Sequence, residues 1–281
     1  MAGRGGGGVL DADPSIALIR ATVQIDQPIN ADRRMVGTGF LISAPKPGGG
    51  VEVVLVTAAH VFEKMPAPQV RLGWRIQNAK GEWVYTPESL TIRAADGPLW
   101  YQHPDQDIAV IPVELPDGFR EAAAPESWLA DDHSFAAQPI EPGAEMMTLG
   151  YPHGLSANTA GFPILRAGRV ASYPLAPSGR YPTFLIDLTA APGNSGGPVF
   201  MSRAGAEPLV TGVLIKEVED DGQRLELGVV ADAVFVRQTI DLMLKAQAEG
   251  HGPFVRPTAP AAPAPMRTPG TGGDMTGSNP K

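Results

Sequence analysis

The 281-residue chain has no cysteine. That absence excludes disulfides, thiol catalysis and cysteine-ligated zinc. Positive charge is scarce: 22 Lys and Arg stand against 30 Asp and Glu, for a formal charge of −8. This balance argues against a general affinity for nucleic acid or for anionic membranes. Long apolar runs are missing too. VEVVLVTAAHVF (51–62), the longest, is too short and too polar to span a bilayer. The opening MAGRGGGGVLDADPS carries one arginine and no apolar run, so it does not read as a secretory signal. The expected location is the cytoplasm. Only five histidines are present: His60, His103, His133, His153 and His251.

What the chain has in abundance is short β-type segments. One set runs IALIRATVQI (16–25), MVGTGFLIS (35–43), VEVVLVT (51–57), QVRLGWRI (69–76), SLTIRA (89–94) and DIAVIPV (107–113). A Pro/Ala/Asp-rich stretch follows, and then a second set: AEMMTLG (144–150), ILRAGRVAS (164–172), TFLIDL (183–188), GPVF (197–200), PLVTGVLIKEV (208–218) and RLELGVV (224–230). β-branched residues punctuated by Gly and Pro predict an all-β fold of antiparallel sheets. One segment differs. In ADAVFVRQTIDLMLKAQAEG, Val236, Ile240, Met243, Leu244 and Ala248 fall at helical spacing, with Asp232 as N-cap and Gly250 as stop. The expected organisation is a flexible leader (1–14), a first unit (15–118), a linker (119–142), a second unit with its helix (143–250), and a disordered Pro/Ala/Gly-rich tail (251–281).

The chemistry concentrates in APGNSGGPVF (191–200), where one serine sits among three glycines. A serine hydroxyl is a poor nucleophile unless a base stands beside it and a third group orients that base. It also needs donors for the oxyanion that forms at an attacked carbonyl. A glycine-rich turn can aim backbone N–H groups at one point; here these are the amides of Gly193 and Ser195. His60 closes an apolar strand beside two alanines and can supply the base. Asp107, heading another apolar strand, can hold the imidazole. Asp105 is its near rival, but it follows a proline in a loop. His103 and His153 lack metal-ligand spacing, and structural roles are expected for them. The run Glu217, Glu219, Asp220, Asp221 reads as a solvated hairpin turn.

Thr57-Ala58-Ala59-His60, Asp107-Ile108-Ala109-Val110 and Gly193-Asn194-Ser195-Gly196-Gly197-Pro198 occur in the order His, Asp, Ser. With Gly37-Thr38-Gly39-Phe40, Leu149-Gly150-Tyr151-Pro152 and Ala167-Gly168-Arg169-Val170, the chain resembles the chymotrypsin/trypsin-like serine proteases. The resemblance is nearest to their cysteine-free HtrA/Deg-type branch and covers roughly residues 16–245. It implies two packed six-stranded antiparallel β-barrels with a C-terminal α-helix and the active site between the barrels. It implies a serine endopeptidase with triad His60, Asp107 and Ser195 and an oxyanion hole from Gly193 and Ser195. No cofactor and no metal are expected; the partners are polypeptide substrates and a regulatory protein or a second copy of the chain. By position, Thr189 and Ala190 form the base of the primary pocket and Ile215, Lys216 and Glu217 its wall. The base has no acid, so a small or medium apolar P1 residue is expected, with an acidic P1 as the alternative through Lys216. Asn194 stands where secreted digestive members have an aspartate that pairs with a new N-terminus, so processing is not the expected switch. Relatives of the HtrA type usually carry a PDZ domain after the protease; none is read in this chain. Two other readings stay open: a protease-fold scaffold with an idle triad, and an esterase-like serine hydrolase.

Overall fold

The computed structural model describes residues 14–253 apart from 31–32, 118, 120–121, 138–139 and 204–205. The leader, except for Pro14, and nearly all of the tail therefore lie outside the described residues. The chain opens with helix α1 (Pro14–Ala21), then β1 (Thr22–Pro28), β2 (Arg34–Pro45), β3 (Val51–Thr57), the short helix α2 (Ala59–Lys64), β4 (Gln69–Gln77) and β5 (Trp83–Thr91). Four short pieces follow: β6 (Arg93–Ala94), β7 (Gly97–Pro98), β8 (Tyr101–Gln102) and β9 (Ala109–Pro112). The expected linker holds β10 (Ala124–Pro125), a 3-10 turn (Glu126–Trp128) and α3 (Asp132–Ala137). The second half contains β11 (Glu145–Gly150), β12 (Ile164–Val170), β13 (Thr183–Asp187), β14 (Pro198–Arg203), β15 (Ala206–Asp220), β16 (Gln223–Asp232) and α4 (Ala233–Ala248).

Two β units result. The second is a closed six-strand barrel in the order β11-β12-β13-β16-β15-β14. The first is a sheet ordered β5-β4-β1-β2-β3-β9-β8, with β10 added parallel to β2. It thus has more strands than the six expected, and its ladder does not close among the described residues. β8 and β10 are the two additional strands, and the expected segment 89–94 is divided between β6 and the end of a longer strand, β5. Pro87 interrupts its pattern in sequence, yet it sits on an edge strand opposite Gly73, where a missing N–H is tolerated. A second correction concerns residues 16–21, which are helical and not part of a strand. Leu18 and Ala21 are buried while Ile16 is 45% exposed, a one-sided pattern that helix spacing satisfies.

The core is continuous. Phe40, Leu55 and Trp74 fill the first unit, and Phe200, Val213 and Ile186 the second. Helix α4 lays Phe235, Val236, Ile240 and Met243 onto it. The Asp232 side chain accepts from the Val234 N–H at 2.9 Å, as the N-cap reading required. Between the units, buried Arg75 donates to the Tyr151 hydroxyl at 2.9 Å and to the Arg20 carbonyl at 2.6 Å. Its guanidinium lies 5.2 Å from the Phe162 ring centre. These contacts tie β4 to the segment after β11.

Candidate active site

Strand pairing brings His60 and Asp107 together. Thr57 at the end of β3 is opposite Ala109 at the start of β9. The chain leaves that pair into the first turn of α2 on one side and enters it from a loop on the other. His60 Nδ1 stands 2.6 Å from Asp107 Oδ2, and the His60 N–H donates to Oδ1 at 2.9 Å. The Ala59 N–H adds a bond to the Asp107 carbonyl at 3.4 Å. Burial alone raises the Asp107 carboxyl, but its hydrogen bonds to His60 and the imidazole charge outweigh burial and hold it below the usual carboxylate range. Asp105, the alternative acid, makes no hydrogen bond to His60 among the described residues; its N–H donates to His103.

Ser195 comes from the second unit, in the turn before β14. Ala191 accepts from the Asn194 N–H at 3.0 Å. Pro192 and Gly193 are the central residues, and Gly193 has φ +100°, so this is a type II turn with proline and glycine where each is favoured. The Pro192 carbonyl accepts from the His153 N–H at 2.6 Å. Carbonyl and N–H of one trans peptide point in opposite directions. The Gly193 N–H is therefore turned away from His153.

The pairing of the turn is selective. The N–H groups of Asn194, Gly196 and Gly197 donate to Ala191, Leu214 and Asn194. Those of Gly193 and Ser195 donate to nothing among the described residues. The carbonyls of these same two residues are held by Thr38, whose hydroxyl donates to Gly193 at 2.6 Å and whose N–H donates to Ser195 at 2.9 Å. The Thr38 hydroxyl also accepts from the Tyr151 N–H at 3.1 Å. Thr38 is fully buried. In sequence Thr38 stands out only as part of Gly37-Thr38-Gly39-Phe40; nothing local signals that a threonine on β2 fixes a turn 155 residues away.

One cleft of about 600 Å³ is lined by His60, Asp107, Ser195 and Asn194 together with residues of β15. Among the described residues no hydrogen bond joins the His60 ring to Ser195. Ala190, Ile215, Lys216 and Glu217 line this cleft; Thr189 does not. Thr189 is exposed, and its carbonyl accepts from Arg166 at 3.0 Å, which corrects its placement at the pocket base. Glu217 and Glu219 also face the cleft, whereas the hairpin turn proper is Asp221-Gly222, with φ +48° and +77°. The acidic run is therefore only partly a solvated turn. Burial raises the Glu217 carboxyl, against the lowering effect of Arg224, whose Nε lies 3.4 Å from it. His153 is exposed, His133 is exposed on α3, and His251 pairs with Glu249 at 3.2 Å. Among the described residues no cluster of His, Asp or Glu could hold a metal ion, and no helix is long and apolar enough to cross a membrane.

A family profile described as a trypsin-like peptidase domain matches residues 37–213. No curated protein matches the chain in sequence. Among solved structures, a serine endoprotease from Yersinia pestis is similar at 15% identity and TM-score 0.52, over 83% of this chain and 67% of that one. The HtrA-type protease AlgW with a tripeptide is similar at 16% identity and TM-score 0.52, over 85% of this chain and 64% of that one. The chain thus spans about two thirds of the length of each.

Proposed function

The chain belongs to the trypsin-like peptidase domain family, and from that premise we propose that it is a serine endopeptidase using His60, Asp107 and Ser195. His60 takes the Ser195 proton as Oγ attacks a substrate carbonyl. Asp107 accepts from Nδ1, which leaves Nε2 as the basic nitrogen and stabilises the imidazolium that forms. The Gly193 and Ser195 amides receive the oxyanion. His60 then gives its proton to the leaving amine, and water repeats the sequence on the acyl-enzyme. The absence of a His60–Ser195 bond is compatible with this, since such bonds tighten when substrate enters.

The observation that carries the reading is the pairing pattern of the 193–197 turn. Among the described residues only the two amides an oxyanion needs are left without partners in this turn, while the carbonyls of the same two residues are held by Thr38. A connector turn has no reason for that selectivity, because unpaired backbone donors are costly. Casein digestion by the purified chain, lost in Ser195→Ala with the fold intact, is the expected result; digestion unchanged in that variant overturns the proposal. A second reading, a protease-fold scaffold with an idle triad, draws on the missing His60–Ser195 bond and predicts no digestion by either protein.

The pocket supports small or medium apolar P1 residues. Ala190, Leu214 and Ile215 supply apolar wall, Lys216 is exposed to solvent, and Glu217 is engaged by Arg224. A P1-scanning peptide library tests this; a preference for acidic P1 would assign the role to Lys216. Asn194 is 3% exposed and neutral, so it cannot form an ion pair with a processed N-terminus. Activity is therefore independent of N-terminal cleavage, and removal of residues 1–14 leaves kcat unchanged.

A further inference from the structure

The loop that carries Asp107 has no ladder to hold it. Gln102 on β8 pairs with Ala109 on β9, so residues 103–108 leave the sheet. One backbone bond, from the His103 N–H to the Ile108 carbonyl at 2.9 Å, closes the base of the loop. Inside it the N–H groups of Asp105 and Gln106 would be unpaired. Both donate to a single atom, His103 Nδ1, at 3.0 Å each.

That arrangement fixes the chemistry of the His103 ring. A nitrogen accepting two N–H groups carries no proton, so Nε2 is the protonated one. Nε2 lies 3.0 Å from Gln238 Oε1 on α4 and donates to it. The ring is 4% exposed and packs edge-on against Phe235, also on α4, at 5.1 Å between centroids. One imidazole thus binds the acid-bearing loop with one nitrogen and the C-terminal helix with the other. Gln238 itself is exposed.

We propose that His103 is a positioning residue for the catalytic pair: it clamps the 103–107 loop to α4 through Gln238 and so sets where the Asp107 carboxylate meets His60. The proposal rests on the triad reading above. Among the described residues the Asp107 carboxylate is bonded from the other side only by His60, the group it must orient, and its carbonyl by Ala59, so its own loop has to supply an independent anchor. His103 touches neither substrate nor reacting atoms and acts through Asp107 alone.

Four variants test it: Gln238→Met, which removes the tie to α4 at an exposed position; His103→Phe, which keeps the ring but leaves two loop amides unpaired; His103→Asn, which keeps an acceptor near Nδ1 but cannot reach Gln238; and Asp107→Asn as reference. The readouts are kcat and KM on a peptide substrate, melting temperature, and the far-downfield proton NMR signal of the His60 Nδ1–H bonded to Asp107. Displacement of a catalytic group by about 1 Å costs about 100-fold in rate. His103→Phe is therefore expected to lower kcat about 10- to 100-fold with KM unchanged and to shift or broaden the signal. Gln238→Met is expected to do the same more weakly, and His103→Asn to recover part of the loss. If His103→Phe fails to fold, Gln238→Met decides alone. Parental kcat and an unmoved signal in folded Gln238→Met and His103→Phe, with Asp107→Asn inactive, overturn the proposal and spare the triad. Full activity in Asp107→Asn overturns both.

Discussion

Replacing Gly193 by alanine separates an oxyanion turn from an ordinary one. An added Cβ would lie 2.3 Å from the Tyr151 carbonyl oxygen and 3.2 Å from the His153 nitrogen. Neither can retreat freely. Tyr151 O already accepts from the Gly154 N–H at 2.9 Å, and His153 N donates to Pro192. Position 193 also has φ +100°, a conformation that costs a side-chain-bearing residue about 1–3 kcal/mol. Both effects push the 192–193 peptide to rotate, which releases the Pro192–His153 bond and turns the Gly193 N–H out of place. Loss of one oxyanion donor removes about 3 kcal/mol of transition-state stabilisation, or about 100- to 1000-fold in kcat. KM should change little, because the donor acts on charge absent from the ground state. The assay is steady-state kinetics on a peptide substrate beside thermal melts, with Gly179→Ala as control, since a Cβ there meets nothing within 4 Å. A folded Gly193→Ala enzyme with kcat within two-fold of the parent would refute the reasoning.

Three further outcomes are expected. Thr38→Val leaves the Gly193 carbonyl and the Tyr151 N–H unpaired in a buried site, at about 1–3 kcal/mol each; melts should show that loss, kcat should fall with it, and Thr38→Ser should restore most of both. Asp232 is pushed up to about 7 by burial first and by Asp132 and Asp131 next. A raised carboxyl gives stability that is full below its unfolded value and lost as pH rises toward 7, at about 1.4 kcal/mol per unit. Asp232→Asn keeps an equally good cap and should melt higher than the parent at pH 8 but not at pH 4; a lower melt at pH 8 would mean that the charge's attraction to the helix end prevails. Asp107 is held below its usual range, so its contribution is full above the usual value and lost as pH falls from there through the lower folded one; melts from about pH 4 downward should fall more steeply for the parent than for His60→Ala, and equal slopes would contradict this.

Much of this was legible in the sequence because it is local. β3, β15 and β16 announce themselves as runs of Val, Leu and Ile, and α4 by its period and its Asp232 cap. His60, Asp107 and Ser195 stand out since each ends or begins such a run beside small residues. What escaped is set by distant partners. Residues 16–21 are apolar enough for a strand, and only the packing of Leu18 and Ala21 makes them helical. The end of β5 lies in the 89–94 run, but its first part looks broken at Pro87 until its edge position is known. Thr38 serves a turn from the other barrel, and His103 finds its partner on α4 135 residues later; no spacing within a single segment encodes either. Thr189 and Glu217 were placed by analogy of position, and the course of β13 and β15 decides which of them reaches the cleft.

The most direct measurement is intact-mass analysis and peptide mapping after exposure to a fluorophosphonate probe. The account predicts one adduct per chain, located on Ser195, formed slowly in His60→Ala and absent in Ser195→Ala. An unlabelled parent, or an adduct at another residue that survives Ser195→Ala, would contradict it.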